Sequence, residues 1–441
     1  MTRMRKRIAI AGTVAALAAT VSLVGGVLRD DGGNARAVPV QHAVAADRLK
    51  GGFAAGDTAG LVRRLAAELR GRPGNARTYT LLGLAYQQRA RETGNPAYYT
   101  KSEGVLGRAN RLAPGDPATA SALGSLALAR HRFGEAISLG RKAVSAAPYT
   151  ARNYGVLGDA LVELGRYDEA FRTFDRMGAL RPDLSSYSRI AYARELLGRP
   201  RAASRAMRLA LDAAGGQPEP TAWVQTQLGK LAWSHGQLHD AELHYRAALA
   251  ALPGYVYALE PLALVEEANG RHARAIALAS RAAEMLPLPQ SVATLGDLYA
   301  VSGKTHAAQD QYALVSVIER LLVANGVRTD LEAALFDVDH GLRLPNALAL
   351  ARKAHRARPS IDGNDVLAWA LARNGRCAEA LPYSRRALRL GTLDALKFFH
   401  RGMIERCLGH RSDSRAWFKG ALHLNPHFSL LWSPLARRYA S

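Results

Sequence analysis

A chain that does chemistry needs nucleophiles, metal ligands or phosphate cradles at fixed spacing. This chain offers few. Gly303-Lys304-Thr305 has the ending of a phosphate-binding loop, but the first glycine of that motif would fall at Leu298 and no strand precedes it. His235, His239 and His244 are metal ligands by type. Gly236 breaks the helix between the first two, and the last pair are five residues apart, so they do not share a face at ligand spacing. His423 and His427 have Pro426 between them. There is no nucleophile elbow and no zinc-protease helix motif. The expectation is a protein with no catalytic residues, no metal and no cofactor, hence not an enzyme. Two cysteines remain, Cys377 and Cys407, and their meaning depends on where the elements put them.

Composition narrows the class. The 441 residues are 48% hydrophobic but only 7% aromatic, which suits helices packed through Ala and Leu rather than sheets. The formal net charge is +22, carried mainly by arginine. Such a charge attracts anions in general, but without a motif it speaks to solubility and weak attraction, not to one ligand. The basic residues lack interleaved aromatics for base stacking, which argues against nucleic acid.

The elements emerge from the stretch Ala151 to Pro182. Leu157, Leu161 and Leu164 share one face of a first helix. Ala170, Phe171, Phe174 and Met177 do the same in a second. Gly165-Arg166-Tyr167 is a tight turn between them, and Pro182 stops the second helix. Two such helices cannot bury both apolar faces alone; they need neighbours of the same kind.

Leu157-Gly158, Gly165-x-Tyr167-x-x-Ala170, Phe174 and Pro182 resemble the tetratricopeptide repeat (TPR), a helix-turn-helix unit. The pattern recurs in register. Leu82-Gly83, Leu123-Gly124, Leu228-Gly229 and Leu295-Gly296 mark first helices; Ala136, Ala203, Ala241, Ala275, Ala308, Ala347 and Ala380 mark second helices. The fold class this implies is all-α, a right-handed α-solenoid of about ten TPR units. Residues 38–75 read as a degenerate capping unit, 76–326 as a first array, 327–428 as a second, and 429–441 as a capping helix. The extra length from Arg91 to Tyr99 reads as a surface loop, and Asn325-Gly326 as a break between the arrays.

Residues 1–37 read as a signal peptide or membrane anchor. Arg3, Arg5, Lys6 and Arg7 precede an uncharged run from Ile8 to Leu28, and Ala35-Arg36-Ala37 offers a cleavage site. The expected location is the cell envelope or beyond, with membrane association through residues 8–28 if the run is kept.

The resemblance also implies a site. In TPR arrays the first helix of each unit lines a concave groove. By position, the groove residues are Asp159, Glu163, Tyr192, Glu195, Trp223, Lys230, Trp233, Tyr257, Glu260, Glu267, Asp297 and Trp369, with Glu332, Asp339, Asp362 and Asp365 further along. The set is acidic with interleaved aromatics, while the arginine surplus (Arg172, Arg176, Arg201, Arg205, Arg208, Arg271, Arg274, Arg281, Arg385, Arg386, Arg389) falls on second helices. The implied function is a protein-interaction scaffold at the cell envelope. Its groove would take a basic peptide or protein segment by ion pairing and cation–π contact. The alternative is anion binding, to lipid headgroups or wall polymer, on the basic convex face. In a TPR stack Cys377 and Cys407 sit at ends of antiparallel neighbouring helices, so the resemblance implies a disulfide between them, which export would permit.

Overall fold

The recurring contact is a glycine against a ring. A β-carbon at Gly402 would lie 2.7 Å from the Phe418 ring, and the same clash recurs at Gly158 with Phe174, Gly229 with Tyr245 and Gly296 with Tyr312. In each pair the aromatic follows the glycine by sixteen residues. The missing side chain lets the two helices of a hairpin approach, and the ring fills the space between them. Phe174, Tyr245 and Phe418 are fully buried as a result.

The structure, a computed structural model, describes residues 57–441. The export segment read in residues 1–37 and part of the N-terminal cap lie outside the described residues. The described chain is all α-helix. It begins with α1 (Thr58–Gly71), capped by Asp57, whose carboxylate accepts from the Gly60 amide at 2.7 Å. Ten hairpins follow: α2 (Ala76–Thr93) with α3 (Ala97–Leu112), α4 (Pro117–Ala129) with α5 (Phe133–Ala146), α6 (Ala151–Glu163) with α7 (Tyr167–Leu180), α8 (Leu184–Leu196) with α9 (Pro200–Ala213), α10 (Pro218–Ser234) with α11 (Leu238–Ala251), α12 (Val256–Ala268) with α13 (His272–Met285), α14 (Pro289–Val301) with α15 (Thr305–Ala324), α16 (Asp330–Asp339) with α17 (Leu344–Ala357), α18 (Ile361–Arg373) with α19 (Cys377–Ala387), and α20 (Ala395–Cys407) with α21 (Arg411–Leu424). The helix α22 (Ser433–Ala440) closes the row on α21, with Arg437 and Arg438 exposed. No described helix is long and apolar enough to cross a membrane.

Each hairpin packs on the next, as a solenoid requires. The slightest contact between neighbouring hairpins is that of α15 with α16, across Asn325-Gly326. The long α15 accounts for this, because it carries the chain a turn and a half beyond the usual exit point of a second helix.

The stretch read as a surface loop is not one. The first helix of the first hairpin runs on to Thr93, and its end reaches across the molecule. Gln88 Nε2 donates to Glu219 at 3.1 Å, and the Tyr257 hydroxyl donates to the Arg91 carbonyl at 2.9 Å. Tyr99 is buried in the core beside Leu106 and Val315.

Candidate functional site

The solenoid winds onto itself. Four turns in its first half meet four linkers in its second half, and the bonded residues are separated by nearly constant chain lengths. At the first, His131 Nδ1 lies 2.7 Å from the Arg328 carbonyl, 197 residues on, and the Arg328 amide donates to the Arg130 carbonyl at 3.1 Å. A carbonyl only accepts, so the His131 proton sits on Nδ1. At the second, the Ile361 amide donates to the Tyr167 hydroxyl at 2.8 Å, 194 residues apart. At the third, the Thr392 hydroxyl donates to the Leu196 carbonyl, 196 residues apart. At the fourth, Asn425 Nδ2 donates to the Trp233 carbonyl at 2.8 Å, 192 residues apart. Each meeting joins the tip of one hairpin to the linker after a hairpin five places on. One superhelical turn therefore takes between five and six hairpins, and the next turn rests on the edge of the first.

Backbone geometry at this seam is demanding. Gly165 has φ 70°, and a β-carbon there would lie 2.6 Å from the Pro359 carbonyl oxygen. Gly198 has φ 63° and the same close approach to the Gly391 carbonyl. Positive φ and close approach both call for glycine. His131 occupies the equivalent turn at φ 55° without being glycine, held there by its bond to Arg328.

At the seam, first helices of the two turns come near one another: Asp362 of α18 acts electrostatically on Glu163 of α6 and on Tyr192 and Glu195 of α8, and this inner face is called the lumen below. Lys230 of α10 belongs to this inner face. Its side chain is exposed to water, yet protein surrounds it closely enough that burial lowers its ammonium pKa. Among the described residues its ammonium makes no direct ion pair; Glu260 and Glu195 act on it only at longer range.

The lumen charges collect where the two turns meet. Arg358, from the α17–α18 linker, is buried and pairs with Glu163 at 2.5 Å and Glu332 at 3.0 Å. Lys397 bridges Asp394 at 2.5 Å and Asp362 at 2.9 Å. Burial alone would lower the Lys397 pKa, but Asp362 and Asp394 outweigh it and hold the ammonium well above its usual value. Among the described residues Glu195 has no such partner. Burial first, and then Asp394, push its carboxyl up to about 7, against the weaker pull of Lys230 and Lys397. Glu163 also reaches about 7, because burial exceeds the attraction of Arg358. Burial raises Glu260, whose carboxylate accepts from Thr294 at 2.8 Å. Tyr192 is raised well above the usual phenol value by burial and by Asp362.

Of the twelve groove positions expected, Glu163, Tyr192, Glu195, Lys230 and Glu260 form one continuous row on α6, α8, α10 and α12. Asp159 is consumed by Arg189, which pairs with it at 2.7 Å, both side chains being buried. Tyr257 holds the Arg91 carbonyl. Trp223 packs against two apolar clusters and Trp233 against a third. Glu267 pairs with His272 at 2.8 Å, and Asp297 with His340 at 2.8 Å while accepting from Tyr312 at 2.8 Å. Trp369 does not line a groove. It is 1% exposed, its indole N–H donates to Asp339 at 2.8 Å, and Trp432 from the C-terminal segment stands edge-on to it at 5.6 Å. The C-terminal segment covers the inner wall there, which repeat positions alone do not reveal. Sequence positions also missed Arg358, Asp394 and Lys397, two of which come from linkers.

Cys377 and Cys407 are joined in a disulfide, with Cα atoms 6.1 Å apart. The segment they enclose carries the seam residue Thr392 and the lumen residues Asp394 and Lys397. The histidines weighed for metal do not converge: His235 Nδ1 lies 2.9 Å from its own helix carbonyl at Leu231, and His244 Nδ1 lies 2.7 Å from Gln225. Glu405, His410 and Asp413 bring ligand atoms within 4.8 Å of one another, but Glu405 is already held by Arg401 at 2.7 Å and His410 at 2.7 Å across a hairpin turn. Gly303-Lys304-Thr305 forms the turn between α14 and α15, with Lys304 over the Tyr299 ring at 5.7 Å.

Residues 151–176 match the family model described as tetratricopeptide repeat. No curated protein matches the chain. Among solved structures, a human IFIT1 dimer with m7Gppp-AAAA is 15% identical, covering 78% of this chain and 80% of that one at a TM-score of 0.50. PilF of Pseudomonas aeruginosa is 19% identical over 49% of this chain and 94% of that one (TM-score 0.36). TTC0263 of Thermus thermophilus is 21% identical over 46% and 100% (TM-score 0.37). These likenesses concern the fold.

Proposed function

We propose that this chain, a solenoid of helical hairpins one of which matches the tetratricopeptide-repeat model, is a non-enzymatic interaction scaffold whose lumen takes a basic peptide or protein segment, and that it works at the cell envelope. One observation carries the reading. On a chain of net charge +22, the inner wall carries Glu195 and Glu260 without a paired cation among the described residues, in surroundings that raise both carboxyls. A buried carboxylate lacking a counter-charge is costly, and a lysine or arginine side chain entering the lumen removes that cost. Tyr192 beside the carboxylates supplies apolar and cation–π contact.

A polyanion such as the m7Gppp-AAAA in the IFIT1 structure is poorly suited to these carboxylates, so nucleic acid is not the proposed partner. The envelope location rests on the basic-then-apolar N-terminal sequence and on the disulfide, since such bonds persist in oxidising compartments. A reporter fused after residue 60 and followed into or out of the cytoplasm tests it; retention inside overturns it.

Titration of the full chain with a short Lys- and Arg-rich peptide tests the ligand. Affinity is expected to fall sharply in Glu195→Gln combined with Glu260→Gln. Equal affinity for a Glu-rich peptide of the same length would overturn the reading. A second function has its own support on the outer face. Arg201, Arg205 and Arg208 follow one another at helical spacing on α9, all exposed. Anionic vesicles captured by the chain but not by the triple Arg→Glu variant would establish it.

A further inference from the structure

We infer that the outward face of α15 pairs two copies of this chain, antiparallel, about a two-fold axis at the level of Val315. This surface is separate from the lumen and does not depend on what the lumen binds.

The longest second helix is amphipathic on two sides. Val315, Ile318 and Leu322 are buried and pack inward. On the opposite side Ala313, Leu314, Val317 and Ala324 are exposed, with half-buried Leu321 between them. At 100° per residue these five fall within one stripe. Leu314 is 38% and Val317 41% exposed. The outward faces of α7, α9 and α19 carry exposed arginines instead. An apolar stripe with a small residue at Ala313 lets a second helix come close.

Charge selects the occupant. Asp310 and Arg320 rim the stripe, both are exposed, and among the described residues neither has a hydrogen-bond or ion-pair partner. They lie ten residues apart, symmetric about Val315. In an antiparallel pair each Asp310 meets the other copy's Arg320, and Ala313 opposes Val317. A parallel pair would set Asp310 against Asp310 and Arg320 against Arg320, which is unfavourable. A single helix face buries less than the ~1,600 Å² of a standard interface, so the dimer is weak and concentration-dependent.

Sedimentation velocity on the full chain, over a concentration series reaching the hundreds of micromolar, tests this. The wild-type chain should move from monomer towards dimer. Val317→Glu, an exposed position whose helix content is checked by circular dichroism, should remain monomeric. Asp310→Arg alone and Arg320→Asp alone should each lose self-association, whereas their equimolar mixture should recover it as a heterodimer. A wild-type chain that stays monomeric throughout, a Val317→Glu chain that still dimerises, or single charge variants that associate as well as wild type would each overturn the pairing.

Discussion

The inner wall and the outer wall of this solenoid come from the same hairpins and differ in almost every physical respect. Inside, where α6, α8 and α10 meet α18, α20 and their linkers, charges are close together and mutually coupled: Glu163 with Arg358, Glu195 with Asp394 and Lys230, Asp362 with Lys397. Outside, on α7, α9 and α13, arginines such as Arg172, Arg205 and Arg274 stand in water without such coupling. The net charge of the whole chain, +22, does not describe the inner face. The inner face is acidic because first helices supply Glu163, Glu195, Glu260 and Asp362, and the second superhelical turn rests on the first at the four seam contacts. A charge of one sign thus says little about ligand choice until its location is known.

That contrast can be broken most forcefully at Arg358. Arg358→Ala leaves Glu163 and Glu332 facing each other with their cation gone, and the expected loss is about 3–5 kcal/mol, read from urea unfolding. Removing an outer arginine, Arg205→Ala, should change stability by less than about 0.5 kcal/mol in the same assay. If the two variants unfold alike, inner and outer charges are not different in kind.

Next in size is the disulfide. Replacing both cysteines by serine opens a loop of sequence separation 30, and the chain-entropy picture gives a loss of about 3–4 kcal/mol. Hydrogen exchange should rise first at Gly391, whose amide donates to the Leu388 carbonyl beside the Thr392 contact that joins the stapled segment to the first turn. Exchange that rises equally along the whole chain would mean the staple serves the fold at large rather than the seam.

Gly165→Ala should cost about 1–3 kcal/mol, from positive φ and from crowding against the Pro359 carbonyl. The same change at Gly270 has the positive φ alone, with nothing near the added carbon, and should cost less. Equal costs in thermal melts would show that the seam contributes nothing at that glycine.

The smallest expected effect is a pH dependence. Glu163 and Glu195 titrate near 7 in the fold, against about 4.5 for an unperturbed glutamate. The folded state then binds more protons than the unfolded state between those values, so their contribution to stability falls as pH rises from about 4.5 to about 7. Cation binding has the opposite sign, because it favours the carboxylate: affinity for a basic peptide should increase from pH 6 to pH 8. Glu195→Gln should flatten both trends. An affinity that declines over that pH range would place the peptide elsewhere.

Much of this was readable in the sequence, and the part that was not has a definite physical origin. Gly158 with Phe174, or Gly402 with Phe418, is a local pair, so its spacing survives as a pattern. Tyr192, Glu195 and Lys230 follow from position within a repeat, since every first helix presents the same face. Arg358, Asp394 and Lys397 do not follow, because they meet the row from the next superhelical turn. The pitch of that turn arises from a small rotation repeated at every hairpin, and no single hairpin displays it. Trp369 was misplaced for a related reason: the aromatic C-terminal segment around Trp432 folds back over its wall. The same limit explains the stretch after Arg91, whose destination at Tyr257 lies 166 residues ahead.

The most direct measurement uses a photo-crosslinking residue placed in turn at Tyr192, on the inner wall, and at Arg205, on the outer wall, each irradiated with a Lys- and Arg-rich peptide. An acidic lumen predicts a peptide adduct at position 192 that free peptide competes away, and none at position 205. An adduct at 205 with none at 192 would contradict it.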